Sequence, residues 1–451
     1  MNGALPRCLP PCVRVDVENQ DADRETAGLE STHPQNGAPM PFQDGELFDL
    51  TFKSRKRLHT GDSSVPAYEI VFQREGGAEG EFIAPGRAIG FICPNDEDEV
   101  ERTISLLGLE GNAVLRVSAE DNEAAEKRFN RQFRYIPATC TVKHLLTSVL
   151  DLRTVLKKIF LKILGDCCPE KSEDRRKLYE MSVRTELYTK NVLEDRMMIF
   201  DILEAFPSCK PSLSVLIENL SRLGPRFFSV ANFDSRRIRI IYRPMTFRSC
   251  GKVLTGQCST YFEKIDRIED IMQRASVSDN ADSITSPSES VKCYLRSNVR
   301  NFSFPGEEPR PLIYICHGTG VAPLEAYLDW LEKSGSAVQD CEKWLFYGCR
   351  DISKDSLLSI EKARELGFRV IVRESRVLPK QGYIQTAIPA YSADLRRLVN
   401  SCDGSILICG DYNTMAAQTL RVLETVFGAG DAPKTVAELL EENKIKLDVW
   451  T

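Results

Sequence analysis

The chain has 451 residues, 42% of them hydrophobic and 27% charged, which is typical of a globular protein of two or three domains. This composition excludes a fibrous protein and a fully disordered one. A net charge of -6, from 59 basic and 65 acidic residues, argues against a broad positive surface for nucleic acid or an anionic membrane. We therefore expect small-molecule or protein partners.

Residues 1–45 are rich in Pro, Gly, Asn, Asp and Glu and show no periodic apolar pattern, so they are predicted to form a disordered tail. The first 30 residues lack the basic-then-apolar order of a signal peptide. No run of about 18 apolar residues, the length of a membrane span, occurs in the sequence. We therefore expect a cytoplasmic protein.

Short alternating apolar runs, such as AYEIVFQ and AIGFICP, predict an antiparallel β-barrel formed by residues 46–138 and 207–305. Between its two parts, apolar residues at helical spacing predict a helical connecting subdomain over 139–206, which ends before Pro207. The Ser/Asp-rich stretch 274–290 is predicted to be a mobile surface insertion.

Residues 306–451 alternate apolar strands, such as PLIYICHG, KWLFYGC and SILICGD, with helical patterns. This alternation predicts a Rossmann-like parallel sheet covered on both faces, with ligands at the carboxyl ends of its strands. Gly318, Thr319 and Gly320 lie at one such end, directly before a helix. They form either a tight strand-to-helix turn or a site where backbone N–H groups face a diphosphate.

The fifteen cysteines are scattered, mostly inside apolar runs, and are expected to be reduced and buried. No paired CxxC and no Cys/His set with zinc spacing occurs in the sequence, so no metal site is predicted.

The stretches RFFS, GQCS, ICHGTGVAP, LFYGCRD, SR followed by YIQ, LICGD and DVW occur in the order found in one family. Over residues 46–451 the chain resembles the NADPH-dependent diflavin reductases of the ferredoxin-NADP reductase superfamily. Within that family it looks most like the diflavin oxidoreductases of cytosolic iron-sulfur assembly, with methionine synthase reductase as a near neighbour. The resemblance implies an FAD-binding barrel with a helical connecting subdomain, followed by an NADPH-binding domain.

The family's FMN domain has no counterpart in the sequence, because the leading residues are too few for a domain. We therefore expect a reductase half without its second flavin, or a truncated form of a longer protein.

For FAD, the resemblance implies that Arg226 pairs with the diphosphate, that Phe228 places its ring against the flavin where the family has Tyr, and that Ser229 lies beside N5. The loop of Gly256, Cys258 and Ser259 would hold the FAD diphosphate through backbone and hydroxyl donors. The alternatives are a surface arginine at Arg226 and a helix cap at Ser259.

For NADPH, the resemblance implies a diphosphate site at Gly318, Thr319 and Gly320. The family has Gly-Pro where this chain has Cys316 and His317, and we interpret His317 as a structural substitution. The resemblance implies that the 2'-phosphate is gripped by Arg350, Ser375, Arg376, Lys380 and Tyr383. It also implies that Gln385 and Asp411 bind the cofactor. Lys380 is displaced from the family position, which Gln381 occupies.

For the reaction, Cys409 matches the cysteine near the nicotinamide C4, although a core thiol is the alternative. Asp448 would orient Ser229 and Cys409, and Trp450 would stack on the flavin until nicotinamide displaces it. The implied activity is hydride transfer from NADPH to FAD, followed by electron transfer in trans to a flavodoxin-like or iron-sulfur protein. The alternative is a degenerate reductase module that acts as a binding or scaffold protein.

Overall fold

The computed structural model describes residues 8–18, 34–58, 65–76, 81–276, 290–298, 301–306, 309–334, 341–377, 382–429 and 433–450, without the side chains of 269–276. The chain divides into two compact units, which are treated one at a time below. Unit 1 comprises Met1–Pro41, Ile92–Pro225 and Met245–Lys264, and unit 2 comprises Phe42–Phe91, Arg226–Pro244 and Ile265–Thr451.

The strands in chain order are β1 Val13–Glu18, β2 Gln43–Arg57, β3 Tyr68–Arg74, β4 Ala88–Phe91, β5 Val114–Ala119, β6 Thr139–Thr141, β7 Arg226–Ser229, β8 Arg237–Tyr242, β9 Thr246–Ser249, β10 Lys252–Thr255, β11 Ser290–Arg296, β12 Leu312–His317, β13 Lys343–Cys349, β14 Phe368–Glu374, β15 Ser405–Asp411 and β16 Ile445–Trp450.

The α-helices are α1 Glu97–Leu107, α2 Glu123–Gln132, α3 Val142–His144, α4 Lys158–Asp166, α5 Glu173–Val183, α6 Thr185–Tyr188, α7 Ile199–Ala205, α8 Leu213–Asn219, α9 Gln257–Ser276, α10 Ala322–Ser334, α11 Ile352–Asp355, α12 Ile360–Glu365, α13 Ser392–Arg396, α14 Ala417–Phe427 and α15 Val436–Glu441. Shorter 3-10 or π turns occupy Pro34–Gly37, Leu145–Val149, Thr189–Glu194, Gly318–Val321, Ile384–Tyr391, Arg397–Ser401 and Tyr412–Ala416. Across the described residues, no helix is both long and apolar enough to cross a bilayer.

Unit 1 is mostly helical and contains a three-stranded sheet in the order β1-β5-β6 and the hairpin β9-β10. One apolar core joins its helices to this sheet, with Leu145, Leu161 and Leu216 fully buried. The helices begin at Glu97 and reach Asn219, beyond the range 139–206 that we expected. The difference arises because β5 and β6 pair with β1 instead of with the barrel strands.

The predicted disordered tail is wrong for Val13–Glu18, which forms β1. This strand pairs antiparallel with β5, and its first residue, Val13, is buried in the core of unit 1. The Cys12 and Val13 N–H groups donate to the Glu218 carboxylate at 2.7 and 2.9 Å, which anchors the start of the strand. A single six-residue strand gains its stability from a distant partner, so local composition did not reveal it.

The first half of unit 2 is a six-stranded antiparallel sheet in the order β7-β4-β11-β2-β3-β8. A bridge between Val230 and Ile240 joins the two edge strands and nearly closes the sheet into a barrel. Its inward side chains include the fully buried Leu50, Phe72 and Ile89. The predicted antiparallel barrel is therefore confirmed. Most of the predicted insertion 274–290 lies outside the described residues.

The second half of unit 2 is a parallel sheet in the order β14-β13-β12-β15-β16. Its central strands β12, β13 and β15 are buried almost throughout, which explains why their sequences are continuous apolar runs. From β12 the chain adds β13 and then β14 on one side of the sheet, and it then adds β15 and β16 on the other side of β12. The topological switch point therefore lies between β12 and β15. The predicted Rossmann-like sheet is therefore confirmed, and ligands of such sheets bind outside the carboxyl ends at this point.

Cys93 and Cys258, 165 residues apart in unit 1, form a disulfide. For these two cysteines the expected reduced state is wrong, because sequence spacing does not show which distant thiols meet in space.

We expect Cys258→Ser to lower the free energy of unfolding by about 2–4 kcal/mol under oxidising conditions, because the disulfide restricts a long loop in the unfolded chain. In dithiothreitol the variant and the parent protein should unfold at the same urea concentration. Cys250→Ser, at an exposed cysteine outside any disulfide, is the matched control. Equal unfolding midpoints for C258S and the parent protein without reductant would contradict this pairing.

Candidate functional site

A cleft of ≈ 640 Å³ opens at the carboxyl ends of the parallel strands in unit 2. Residues from the ends of β12, β13 and β14 line it, together with the segment that follows β15 and Trp450 of β16. This is the position that the switch point predicts for a ligand. The cleft is large enough for a drug-sized molecule or one half of a dinucleotide.

The turn after β12 presents its backbone to the cleft at Gly318 and Thr319. Gly318 has φ +53°, a conformation that glycine adopts without strain, and it borders open space except for the Arg243 side chain. Gly320 is different: it is buried, and a Cβ there would lie 2.2 Å from the Cys409 carbonyl oxygen. Gly320 thus permits close packing on β15 and does not line the cleft, and its predicted contact with the diphosphate stays a prediction.

Among the residues that the structure describes, four arginines line the cleft but only one carboxylate does, that of Asp355. Arg243 donates to this carboxylate at 3.0 Å, and the Asp355 side chain is almost fully buried. The pKa of Arg350 is lowered, first by burial and then by the positive charge of Arg376. The cleft therefore concentrates positive charge, and an anionic ligand would reduce the repulsion between these charges. The four arginines are Arg243, Arg350, Arg373 and Arg376.

The other residues predicted to bind NADPH have mixed positions. Ser375 and Tyr383 line the cleft, and Tyr383 is 65% exposed. The Gln385 side chain also lines it and donates to Gln418. Asp411 accepts from the Thr414 N–H and hydroxyl and so caps the turn after β15, which leaves its predicted cofactor contact untested. Lys380 and Gln381 lie outside the described residues.

Ser229, Cys409 and Asp448, far apart in sequence, meet around one carboxylate oxygen. The Ser229 hydroxyl donates to Asp448 Oδ2 at 2.7 Å, and Cys409 Sγ lies 3.7 Å from the same oxygen. Strand pairing explains the second contact, because Cys409 of β15 stands opposite Asp448 of β16 in the parallel register. The structure thus assembles three of the four residues predicted to be catalytic.

Cys409 is fully buried, and this burial raises the pKa of its thiol well above the ordinary value. The negative charge of Asp448 adds to the shift. The thiol therefore stays protonated at neutral pH and can act as a weak hydrogen-bond donor. It is a poor nucleophile, because only the thiolate form reacts effectively.

Trp450, the fourth residue predicted to be catalytic, is the last residue of β16, lines the cleft and is 40% exposed. On the barrel, the Phe228 ring packs edge-on against Phe91 and Tyr242, with ring centroids 5.7 and 6.3 Å apart. Arg226 begins the same strand, opposite Phe91, and is partly exposed. These side chains are accessible on the strand that also carries Ser229.

The loop Gly256–Ser259 lies in unit 1, where the hairpin β9-β10 leads into α9. The Gly256 N–H donates to the Met245 carbonyl at 2.7 Å, and the Ser259 hydroxyl accepts from the Met245 N–H at 3.3 Å. Ser259 lies inside α9, which begins at Gln257, so it is not the helix cap that we considered as an alternative. Cys258 is occupied by its disulfide, so its predicted cofactor contact can involve only the backbone.

A buried ion pair supports this loop from the helical side of unit 1. Arg153 donates to both oxygens of Glu99 and, through Nη1, to the Thr255 carbonyl at 2.7 Å. Burial raises the pKa of Glu99, although Arg153 opposes the shift. The pair fixes the residue before Gly256, which sequence analysis did not reveal.

Sequence analysis also missed Arg243, Arg373 and Asp355 in the cleft. Arg243 follows β8 of the barrel, about 70 residues before the parallel sheet begins, so only folding brings it to this cleft. Asp355 ends the short helix α11 and has no motif of its own.

A family model described as an FAD binding domain matches residues 40–261, which include five of the six barrel strands, most of unit 1 and the loop Gly256–Ser259. Methionine synthase reductase from Bos taurus is 29% identical over 473 aligned positions, covering 99% of this chain and 66% of its own length. A bifunctional cytochrome P450/NADPH-P450 reductase from Bacillus subtilis is 25% identical, covering 96% and 39%. The chain is therefore similar to diflavin reductases over nearly all of its length.

The chain spans 56–66% of the mammalian methionine synthase reductases it matches. The match to an FAD binding domain and the similarity to an NADPH-P450 reductase support FAD and NADPH as its cofactors. The observed site fits both groups: the cleft offers excess positive charge for a phosphorylated nucleotide, and the Ser229 strand offers accessible aromatic and hydroxyl groups. The predicted likeness to the branch of iron-sulfur assembly stays a prediction.

Proposed function

We propose that this protein is a diflavin reductase that transfers reducing equivalents from NADPH to FAD and passes them to a protein acceptor. The observation that carries the proposal is the contact of Ser229 and Cys409 with the Asp448 carboxylate, where the Cys409 backbone packs against Gly320 of the glycine turn. When bound, the cofactors supply the hydride chemistry itself. The protein supplies binding, alignment and electrostatics.

In this proposal Asp448 holds the Ser229 hydroxyl and the Cys409 thiol in fixed orientations through its Oδ2 atom. A neutral thiol and a neutral hydroxyl can both donate hydrogen bonds to reacting atoms without adding charge to the site. Trp450, which lines the cleft at the carboxyl ends of the parallel strands, would cover the flavin face until nicotinamide replaces it. Arg226 and Phe228, on the same strand as Ser229, would contact FAD.

NADPH is the proposed donor because the cleft contains Arg350 and Arg376 close enough for one to lower the pKa of the other. A 2'-phosphate dianion between two such guanidinium groups would form charge-assisted hydrogen bonds. Among the described residues lining this cleft the single carboxylate, Asp355, is held by Arg243, whereas an NAD site would offer a carboxylate to the ribose diol.

We expect Arg376→Ala to weaken NADP+ binding by about 10- to 100-fold, because a charged hydrogen bond contributes roughly 1.5–3 kcal/mol. NAD+ binding should not change, since NAD+ has no 2'-phosphate. Isothermal titration calorimetry measures both affinities. Arg364→Ala, at an exposed arginine of α12 outside the cleft, should leave both unchanged. Equal losses for both nucleotides would contradict the assigned role.

The acceptor we propose is a flavodoxin-like FMN protein or an iron-sulfur protein in the cytoplasm. The names of two relatives, methionine synthase reductase and NADPH-P450 reductase, support a protein acceptor in general. Neither name specifies the acceptor of this chain.

The decisive test is an anaerobic stopped-flow titration with NADPH and NADH, followed at the flavin absorption band. A working reductase should purify yellow and be bleached by NADPH much faster than by NADH. A colourless protein that also fails to take up added FAD would overturn the proposal and favour the scaffold alternative. If the protein binds FAD but NADPH does not bleach it, the proposed reductase activity is overturned while the FAD site stands.

A further inference from the structure

His317 is the last residue of β12, directly before the turn at Gly318–Thr319, and it lines the cleft. Its Nε2 atom is buried and has no hydrogen-bond partner among the residues that the structure describes. The imidazole lies against β15: a Cβ placed on Gly410 would be 3.2 Å from Nε2. A buried polar atom without a partner destabilises the free site, so a ligand that pairs with it binds more tightly.

Arg243 reaches the same turn from the barrel side of unit 2. Its Nη1 donates to the Val65 carbonyl at 2.7 Å and its Nη2 to Asp355 at 3.0 Å, which fixes the guanidinium plane. Its Nε lies 4.0 Å from the position that a Cβ on Gly318 would occupy. A fixed cation and a partly buried imidazole therefore flank the turn at Gly318–Thr319, which lines the cleft.

We propose that His317 and Arg243 together bind the diphosphate of the pyridine nucleotide at Gly318–Thr319, and that His317 takes up a proton from solvent as the nucleotide binds. The inference deepens the proposed function and rests on it. It also replaces our earlier interpretation of His317 as a structural substitution.

The charges around His317 explain the proton uptake. Burial lowers the pKa of His317 below its ordinary value, Arg243 lowers it further, and Asp411 at the end of β15 opposes both. The free protein therefore holds a neutral imidazole at pH 7. A diphosphate beside it adds negative charge, which favours the imidazolium form and raises the pKa.

The sign of the pH dependence follows from this shift. The bound state has the higher pKa, so nucleotide affinity increases as the pH falls through the bound-state pKa and levels off below the free-state pKa. At high pH, where His317 is neutral in both states, this contribution disappears.

Isothermal titration calorimetry in two buffers of different ionisation enthalpy measures the protons taken up on binding. The ligands are NADP+ and 2'-AMP, because 2'-AMP carries the 2'-phosphate without a diphosphate. In the parent protein, NADP+ should take up more protons than 2'-AMP at pH 7. In His317→Gln this excess should vanish, NADP+ should bind about tenfold more weakly and 2'-AMP should bind as before. His144→Gln, at a histidine of unit 1, is the control and should keep the excess.

Arg243→Lys keeps a positive charge near Asp355 and should weaken NADP+ without affecting 2'-AMP. Arg237→Gln, at an exposed arginine of β8, should change neither ligand. An unchanged proton excess in H317Q, or equal losses for NADP+ and 2'-AMP in the Arg243 variant, would overturn the inference. If the parent protein binds neither ligand, the proposed function itself fails.

Discussion

Asp448→Ala is expected to slow the reduction of bound flavin by NADPH by roughly a hundredfold, the scale of effect produced by misplacing reacting groups by about 1 Å. The carboxylate is the shared partner of the Ser229 hydroxyl and the Cys409 thiol, so its removal frees both side chains to rotate. Single-turnover stopped flow under anaerobic conditions measures the rate directly. FAD content and the Kd for NADP+ should remain close to those of the parent protein.

The matched variant is Asp448→Asn, whose side-chain oxygen can still accept from Ser229. It should therefore lose less activity than the alanine variant. The Cys409 thiol should also titrate at a lower pH in both variants, because Asp448 contributes to its raised pKa, although burial remains the larger cause. Flavin reduction in D448A at the parental rate would contradict the orienting role of this carboxylate.

Trp450→Ala is expected to raise the use of NADH relative to NADPH by about a hundredfold. A stacked indole must leave before nicotinamide reaches the flavin. Because the ring buries roughly 150–250 Å² of aromatic surface, its displacement costs free energy. NADPH overcomes this cost through the arginines of the 2'-phosphate region, whereas NADH lacks that anchor. The measurement is the ratio of kcat/KM values for the two donors.

Trp450→Phe keeps an aromatic ring at the end of β16 and should preserve most of the preference for NADPH. Trp450 is partly exposed and is the last residue that the structure describes. Neither variant should therefore change the free energy of unfolding by more than about 0.5 kcal/mol, the usual scatter of surface substitutions. An unchanged ratio of kcat/KM values in W450A would exclude the indole ring as a cause of the preference for NADPH.

The parallel sheet was the part of the fold that the sequence predicted best. Continuous apolar runs such as those of β12 and β15 are buried on both faces, so their composition reports their environment directly. Their carboxyl ends carry Gly318 and Cys409, and the topology of such sheets brings these ends to one edge. A site at this edge therefore follows from local patterns and one general rule.

Unit 1 was predicted less well. Its sheet combines a strand near the amino terminus with two strands about a hundred residues later, and its disulfide joins cysteines 165 residues apart. Both features depend on contacts between distant segments, and neither leaves a periodic signal in the local sequence. The helical connecting subdomain consequently has wider bounds than its helical pattern alone indicated.

By itself, the sequence predicted the two architectures and the strand-end position of the ligand cleft, because these depend on local patterns. It pointed to Ser229, Cys409, Asp448 and Trp450 only through its resemblance to the diflavin reductases, and their roles stay predictions. Only the tertiary structure decided that Gly320 packs on β15 instead of facing the cleft, and that Arg243 joins His317 at the glycine turn. The reason is physical: apolar periodicity reports which face of an element is buried, but the approach of one buried backbone to another, and of a distant cation to a turn, depends on how the chain closes in space.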